Sequence, residues 1–239
     1  MFGAKEPDLE SRLKHYMKRW DPGYLTRPEE EPWARKVQSS FLRKQGLLPN
    51  HVFLDLGCGW LRGTIDLVDY LDDGNFHGID ISGANIERAM ARAKQVSQHI
   101  PKLTVASRFE ISQIWPNLQF DYIFAASLFT HIYPGDVQEC LRVVSTALKG
   151  KFYATIFKDN TVPISDGWCG TCIDHCPEHS TKARRENFRR LDFCYNTSWI
   201  GRIAKEHDLQ LAEIGSTEVG QFMLEISPEA HKSDATIKN

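Results

Sequence analysis

No run of this 239-residue chain is long and apolar enough for a membrane-spanning helix, which needs roughly 18 or more consecutive apolar residues. The opening stretch Met1-Phe2-Gly3-Ala4-Lys5-Glu6-Pro7-Asp8 has no apolar segment of the kind a secretory signal carries. A cytoplasmic protein with reduced thiols and no membrane association is therefore expected. Charge of one sign is missing too. The formal net charge is −2, so nothing draws the chain as a whole toward polyanions, and a nucleic-acid partner would need a local basic patch. The candidate patch is Lys182-Ala183-Arg184-Arg185 with Arg189-Arg190, whose plainer reading is a solvated helix face interrupted by Glu186.

Repeated metal-chelate spacing is a further absence. Cys169-x2-Cys172 matches one half of a zinc knuckle, and His175, Cys176, His179 or Cys194 would have to supply the other two ligands. The two-residue chelate does not recur, and adjacent residues such as His175 and Cys176 point apart in regular backbone. Less than stoichiometric zinc, and hence no metal site, is expected. A redox role for the C-x-x-C would need a thioredoxin-type strand leading into a helix start. Of the remaining cysteines, Cys58 is expected to pack beneath a glycine-rich loop and Cys140 to lie on an apolar helix face.

What the chain does contain, at 41% apolar and 25% charged residues, is enough for the core of one α/β domain with additions. Its most informative stretch is Asp55-Leu56-Gly57-Cys58-Gly59, behind the apolar run Val52-Phe53-Leu54 and ahead of a helical pattern from Leu61 to Leu71. A strand that ends in a glycine turn and opens into a helix lets backbone approach a ligand closely and points free N–H groups at it. A dinucleotide fingerprint would require glycine at position 62, where Arg62 stands; Gly63 comes one step late. The carboxylate two positions before Gly57 suits the cationic end of an amino acid better than a pyrophosphate.

Further motifs follow in order. Phe76-His77-Gly78-Ile79-Asp80 predicts a second strand ending in an acid 21 residues after Gly59, where a ribose-binding carboxylate belongs in a βαβ unit. Asp80 is expected to contact both ribose hydroxyls. Ser82 to Gln98 has helical spacing through Ile86, Met90, Ala93 and Val96, and residues 120–127 predict a fourth sheet strand. Ser127-Leu128-Phe129-Thr130-His131-Ile132 comes next, then an amphipathic helix from Asp136 to Leu148, a tight turn at Leu148-Lys149-Gly150-Lys151, and a strand from Lys151 to Phe157. A helix from Ser198 to His207 and strands at Asp208–Leu211 and Val219–Ile226 close the pattern.

Over residues 50–157 and 195–226 this succession resembles the class I SAM-dependent methyltransferases, with a post-strand-four segment similar to that of small-molecule enzymes. The resemblance implies a Rossmann-like α/β fold: a doubly wound, mostly parallel seven-stranded sheet with helices on both faces, plus an N-terminal helical lid. It implies S-adenosyl-L-methionine (SAM) as cofactor, held by Asp55, Gly57, Cys58, Gly59, Asp80, Ile81, Glu110 and Ser127. Residues 1–48 are expected to form the lid, 49–226 the core with an insertion at 158–197, and 227–239 a tail. Lid and insertion carry the expected substrate contacts Tyr24, Trp168 and Tyr195. His131, at the carboxyl edge of the sheet, is the expected base, since a histidine ordinarily titrates near neutrality; bracing the loop under the cofactor is its alternative role.

Two patterns of related enzymes are missing. Adenine amino-methyltransferases use [DN]-P-P-[YF] where this chain has Ala126-Ser127-Leu128-Phe129, and catechol-type enzymes need an aspartate that Ala125, Ala126 and Ser127 do not offer, although Asp159-Asn160 echoes their second element. The expectation is a metal-independent methyltransferase acting on a small-molecule substrate, at a hydroxyl of a secondary metabolite or sugar-like compound, as a monomer or homodimer. Methylation of RNA or protein through the 182–190 stretch is the alternative. A non-catalytic subunit is a third reading, against which the intact Asp55, Gly57, Gly59 and Asp80 stand.

Overall fold

The computed structural model describes residues 6–20, 31–165, 167–169, 193–218 and 220–229. Four short strands run parallel because each is followed by a crossover that returns the chain to the same sheet edge. They are β1 (Phe53–Leu56), β2 (Phe76–Asp80), β3 (Lys102–Val105) and β4 (Phe120–Ala125), and β5 (Leu148–Lys158) extends the same parallel set. β9 (Phe222–Pro228) pairs antiparallel with both β5 and β8 (Leu209–Ser216), so the main sheet runs β3-β2-β1-β4-β5-β9-β8. That is the seven-stranded, mostly parallel sheet expected. A short ribbon, β6 (Trp168–Cys169) with β7 (Cys194–Tyr195), is added where Phe157 and Lys158 pair with β7.

Alternation along each strand divides the core between the two faces. On one face Leu54, Ile123, Phe152 and Ala154 pack under α6 (Pro134–Ala147) and α7 (Thr197–Lys205), through Val137, Leu141, Val144, Trp199 and Ile203. On the other, Phe53, Tyr122, Phe124 and Tyr153 pack under α2 (Glu31–Lys44), α3 (Ile65–Tyr70) and α4 (Gly83–Val96), through Leu42, Ile65, Val68, Ile86 and Ala89. Because helices cover both faces, β1 and β2 are buried along their whole length. α1 (Leu9–Trp20) lies on the first face with Tyr16 in the core, and α5 (Ile111–Ile114) is a single turn.

Two boundaries differ from the sequence pattern. The helix read from Leu61 begins at Ile65, because Leu61 adopts φ +60° and the residues up to Thr64 complete the glycine loop. The tight turn read at Leu148–Lys151 is absent: β5 already starts at Leu148, and Gly150 lies so close to the Asp121 carbonyl that a Cβ would stand 2.3 Å from it.

Candidate functional site

The carboxyl edge of β1, β2, β4 and β5 opens into a cavity of about 1040 Å³. On the β1 side, Gly57 and Gly59 adopt φ +70° and +53°, a region that costs L-residues energy, and a Cβ on Gly57 would press on Leu128 at 3.1 Å. The turn is pinned by Gly57 and Cys58 N–H groups donating to the Ile79 carbonyl at 2.8 and 3.0 Å. Asp80 gathers the rest: Oδ2 accepts from the Gly59 N–H at 2.8 Å, and Oδ1 accepts from the Ser82 N–H at 2.8 Å and Asn85 Nδ2 at 3.2 Å. Asp55 accepts the Thr64 hydroxyl at 2.6 Å.

Burial dominates the electrostatics of both acids. It pushes Asp55 up to about 7, against the lowering effect of the Thr64 hydroxyl and with a further push from Asp80. It also raises Asp80, outweighing its three hydrogen bonds. Two buried carboxyl groups beside a glycine turn form a pocket suited to a cationic ligand with hydroxyl groups. Trp60, next along the loop, has the Arg88 and Arg92 guanidinium groups over its ring, 3.8 and 4.4 Å from the centroid.

The β4 side is equally constrained. Ser127 sits at φ +59°, with its N–H donating to Thr155 Oγ1 at 2.7 Å, its carbonyl accepting from Thr130 Oγ1 at 2.8 Å, and its hydroxyl accepting from Gln221 Nε2 at 2.8 Å. A left-handed serine costs of order 1–3 kcal/mol, so these bonds hold a loop the chain would not otherwise adopt. The 3₁₀ turn Phe129–His131 follows and brings His131, half-buried, into the cavity wall.

The remaining walls come from outside the core motifs. α1 contributes Leu13 and Tyr16, α2 contributes Val37, Gln38 and Phe41, and the β8–β9 hairpin contributes Ile214 to Glu218, Gln221 and Met223. α2 is fastened to the end of the glycine loop. Ser39 Oγ donates to the Gly63 carbonyl at 3.0 Å, and the Gln38 amide lies where a Cβ on Gly63 would be, 1.8 Å from Oε1.

Of the residues singled out from sequence, Asp55, Gly57, Cys58, Gly59, Asp80, Ile81, Ser127 and His131 line this one cavity. Others do not. Glu110 precedes α5 and lies outside the lining, which takes Ser107, Arg108 and Phe109 instead. Trp168 is half-buried against Tyr133 and Phe193, with ring centroids 5.8 and 5.3 Å away, and is part of the core rather than a substrate wall. Tyr195 is fully buried, stacks on Trp199, and donates its hydroxyl to the Ile132 carbonyl, so it has no surface to offer a substrate. Asp80 has about four acceptor positions. Three are taken within the chain, which leaves room for one ribose hydroxyl rather than two. Asp159 and Asn160 are used locally, accepting from Thr161 and Thr197.

Tyr24, Cys172, His175, Cys176, His179 and the basic 182–190 stretch lie outside the described residues. Among the described residues, no group of three or more His, Cys, Asp or Glu side chains is placed to hold a metal ion, and no helix is long and apolar enough to cross a membrane. Sequence reasoning missed Thr64, Gln38, Gln221 and the Trp60 pair of arginines. The spacing of Arg88 and Arg92, four apart on one helix face, is the one signal that could have found any of them.

Residues 54–151 match the family model described as a methyltransferase domain. Over 123 residues the chain is 32% identical to "Probable methyltransferase ltbC" of Aspergillus luteorubrus, an alignment covering 48% of this chain and 42% of that protein. The chain thus spans less than half the length of the curated relative it matches. Among solved structures, magnesium protoporphyrin IX methyltransferase of Synechocystis PCC 6803 with bound SAH superposes with a TM-score of 0.60 at 14% identity, over 92% of this chain and 94% of that one. The PH0226 protein of Pyrococcus horikoshii OT3 superposes with a TM-score of 0.61 at 20% identity, over 95% and 100% of the two chains. Fold and loop together define a Rossmann-like α/β architecture. Residues 54–151 are thus similar to a methyltransferase domain, and SAM fits the loop, where Gly59 leaves open the volume a Cβ would fill.

Proposed function

We propose that the protein transfers the methyl group of SAM to a hydroxyl of a small, largely apolar molecule. The observation that carries this reading is the single cavity of about 1040 Å³ in which the glycine loop and both acids face the apolar side chains Leu13, Val37, Phe41, Ile214 and Met223. That volume lies at the upper end of small-molecule sites and accommodates a second ligand beside a cofactor. SAM, when bound, supplies a methyl group already activated on a sulfonium. The residues would divide the rest: Asp80 accepts a ribose hydroxyl, Asp55 faces the amino-acid ammonium, and Gly57, Gly59, Ile81 and Ser127 shape the cofactor bed.

As the acceptor oxygen gains the methyl carbon it loses its proton, and His131 takes that proton on an imidazole nitrogen. Such a base contributes typically 10²–10⁴-fold. α1, α2 and the β8–β9 hairpin hold the acceptor in line and keep water out, which is the larger share of what methyl transfer asks of a protein. The test is SAM turnover with a panel of phenols and aliphatic alcohols, followed as SAH and methyl ether. At least one ether product is expected, and His131→Ala should lower kcat by about 100-fold or more at saturating SAM, with SAM affinity retained. Turnover confined to amines, peptides or RNA would overturn the acceptor assignment.

A further inference from the structure

The peptide unit joining Ile132 to Tyr133, directly after His131, is held at both polar ends by tyrosine hydroxyls. Its carbonyl accepts from Tyr195 Oη, and its N–H donates to Tyr16 Oη at 2.9 Å. Neither tyrosine belongs to the cofactor motifs: Tyr16 comes from α1 and Tyr195 from β7, within the 158–197 insertion. On the other side of His131, the Thr130 carbonyl accepts from the Phe193 N–H at 2.9 Å. The candidate base is thus tied before and after by the two additions that flank the core.

Tyr16 is itself fixed. Its hydroxyl donates to Asp136 Oδ2 at 2.6 Å, and Asp136 also accepts Arg12 Nε and Nη2 at 3.0 and 3.1 Å. Arg12 pairs with Glu6 at 2.9 Å, and Glu6 accepts the Gly135 N–H at 3.1 Å. Burial raises the pKa of both tyrosine hydroxyls, reinforced at Tyr16 by Asp136, so both stay protonated donors across the working pH range. A backbone carbonyl and N–H anchored by buried hydroxyls rather than by a sheet ladder cost something to maintain: each tyrosine loses water and must find this one partner.

We propose that Tyr16 and Tyr195 are positioning residues for His131, clamping the Ile132–Tyr133 peptide so that the imidazole is presented to the cavity in one orientation. This rests on the reading of His131 as the base. It gives the N-terminal helix and the inserted segment a shared task beyond covering the cavity.

The clamp is testable without a known acceptor, using SAH as the probe. In the SAH-bound protein with labelled histidine, the His131 ring resonance is assigned by its loss in His131→Gln. Tyr16→Phe and Tyr195→Phe, each removing one hydroxyl and keeping the ring, should shift and broaden that resonance and speed exchange of the Tyr133 amide by about tenfold or more. SAH affinity should be unchanged in Tyr195→Phe, whose side chain is fully buried outside the cavity lining. Tyr153→Phe is the control, since Tyr153 is as buried but its hydroxyl meets Glu225 and Gln45 on the opposite face. It should leave the His131 resonance where it is. An unmoved resonance in both clamp variants, or one moved equally by Tyr153→Phe, would overturn the proposal. If Tyr195→Phe does not fold, Tyr16→Phe decides alone, because it keeps the buried ring and removes only the hydroxyl. An unaltered kcat in His131→Ala would remove the base assignment and leave the resonance comparison to judge the clamp separately.

Discussion

Replacing Asp80 with alanine separates the ribose contact proposed for this acid from what it does for the loop. Three chain donors converge on this carboxylate, the N–H groups of Gly59 and Ser82 and the Asn85 amide, so the cofactor finds one acceptor position open. One hydrogen bond to a charged acceptor contributes about 1.5–3 kcal/mol, which is about 10- to 150-fold in SAH affinity. Stability should fall as well. The Gly59 N–H, held in a turn at φ +53°, loses its partner in a site shielded from water, at about 1–3 kcal/mol. Asp80→Asn should do no better for the loop, because turning its oxygen toward Ser82 and Asn85 sets its amide donor against the Gly59 donor. Calorimetric titration with SAH, alongside thermal unfolding of the apo protein, measures both quantities. A folded Asp80→Ala variant that binds SAH within about threefold of the parent, under 1 kcal/mol, would refute the assignment of this acid to the ribose.

If Asp55 faces the cofactor ammonium as proposed, its carboxyl, raised to about 7, should make cofactor binding pH-dependent. A ligand ammonium favours the ionised form, so one proton leaves on binding and SAH affinity should rise by about tenfold per pH unit below 7, then level off; Asp55→Asn should abolish that slope. Because the folded value lies above the ordinary carboxylate value of 3.8, the apo protein should lose stability as pH rises from about 4 to 7, the opposite direction, as read by denaturant unfolding at several pH values. Gly57→Ala combines a left-handed φ with a contact on Leu128 and should weaken SAH binding more than it lowers the apo melting temperature. Trp168→Ala should cost about 1–3 kcal/mol of stability, less than a fully buried tryptophan, with SAH affinity unchanged; an intact melting temperature would remove Trp168 from the core.

How far the site was legible follows from the distance over which each signal acts. Asp55, Gly57, Gly59 and Asp80 stand within one βαβ unit, where strand, turn and acid occur at fixed offsets, and His131 is reached by counting from the end of β4. Tyr195 and Trp168 were misplaced for the opposite reason. An aromatic residue in a long insertion reads as a wall for a ligand, and nothing local shows that one will bury its hydroxyl on the Ile132 carbonyl and the other pack against Tyr133. Gln38 and Gln221 carried no signal at all, because each acquires its role from a partner more than twenty residues away, Gly63 and Ser127. Six strands could be read from apolar runs; β3 (Lys102–Val105), exposed at both ends, was not, and the two-residue strands of the β6–β7 ribbon are too short to leave a pattern.

The insertion of β9 between β5 and β8 bears on how the chain is made. On the ribosome, β1 to β5 emerge first, and the run Phe152-Tyr153-Ala154-Thr155-Ile156 has no antiparallel neighbour until residues 222–226 follow it out of the exit tunnel. For that interval the nascent polypeptide carries an uncovered apolar strand, the feature that recruits chaperones or other unfinished chains. A product stopped before Phe222 is therefore not a smaller folded protein but a sticky one, and yield during expression should depend on how quickly β9 arrives.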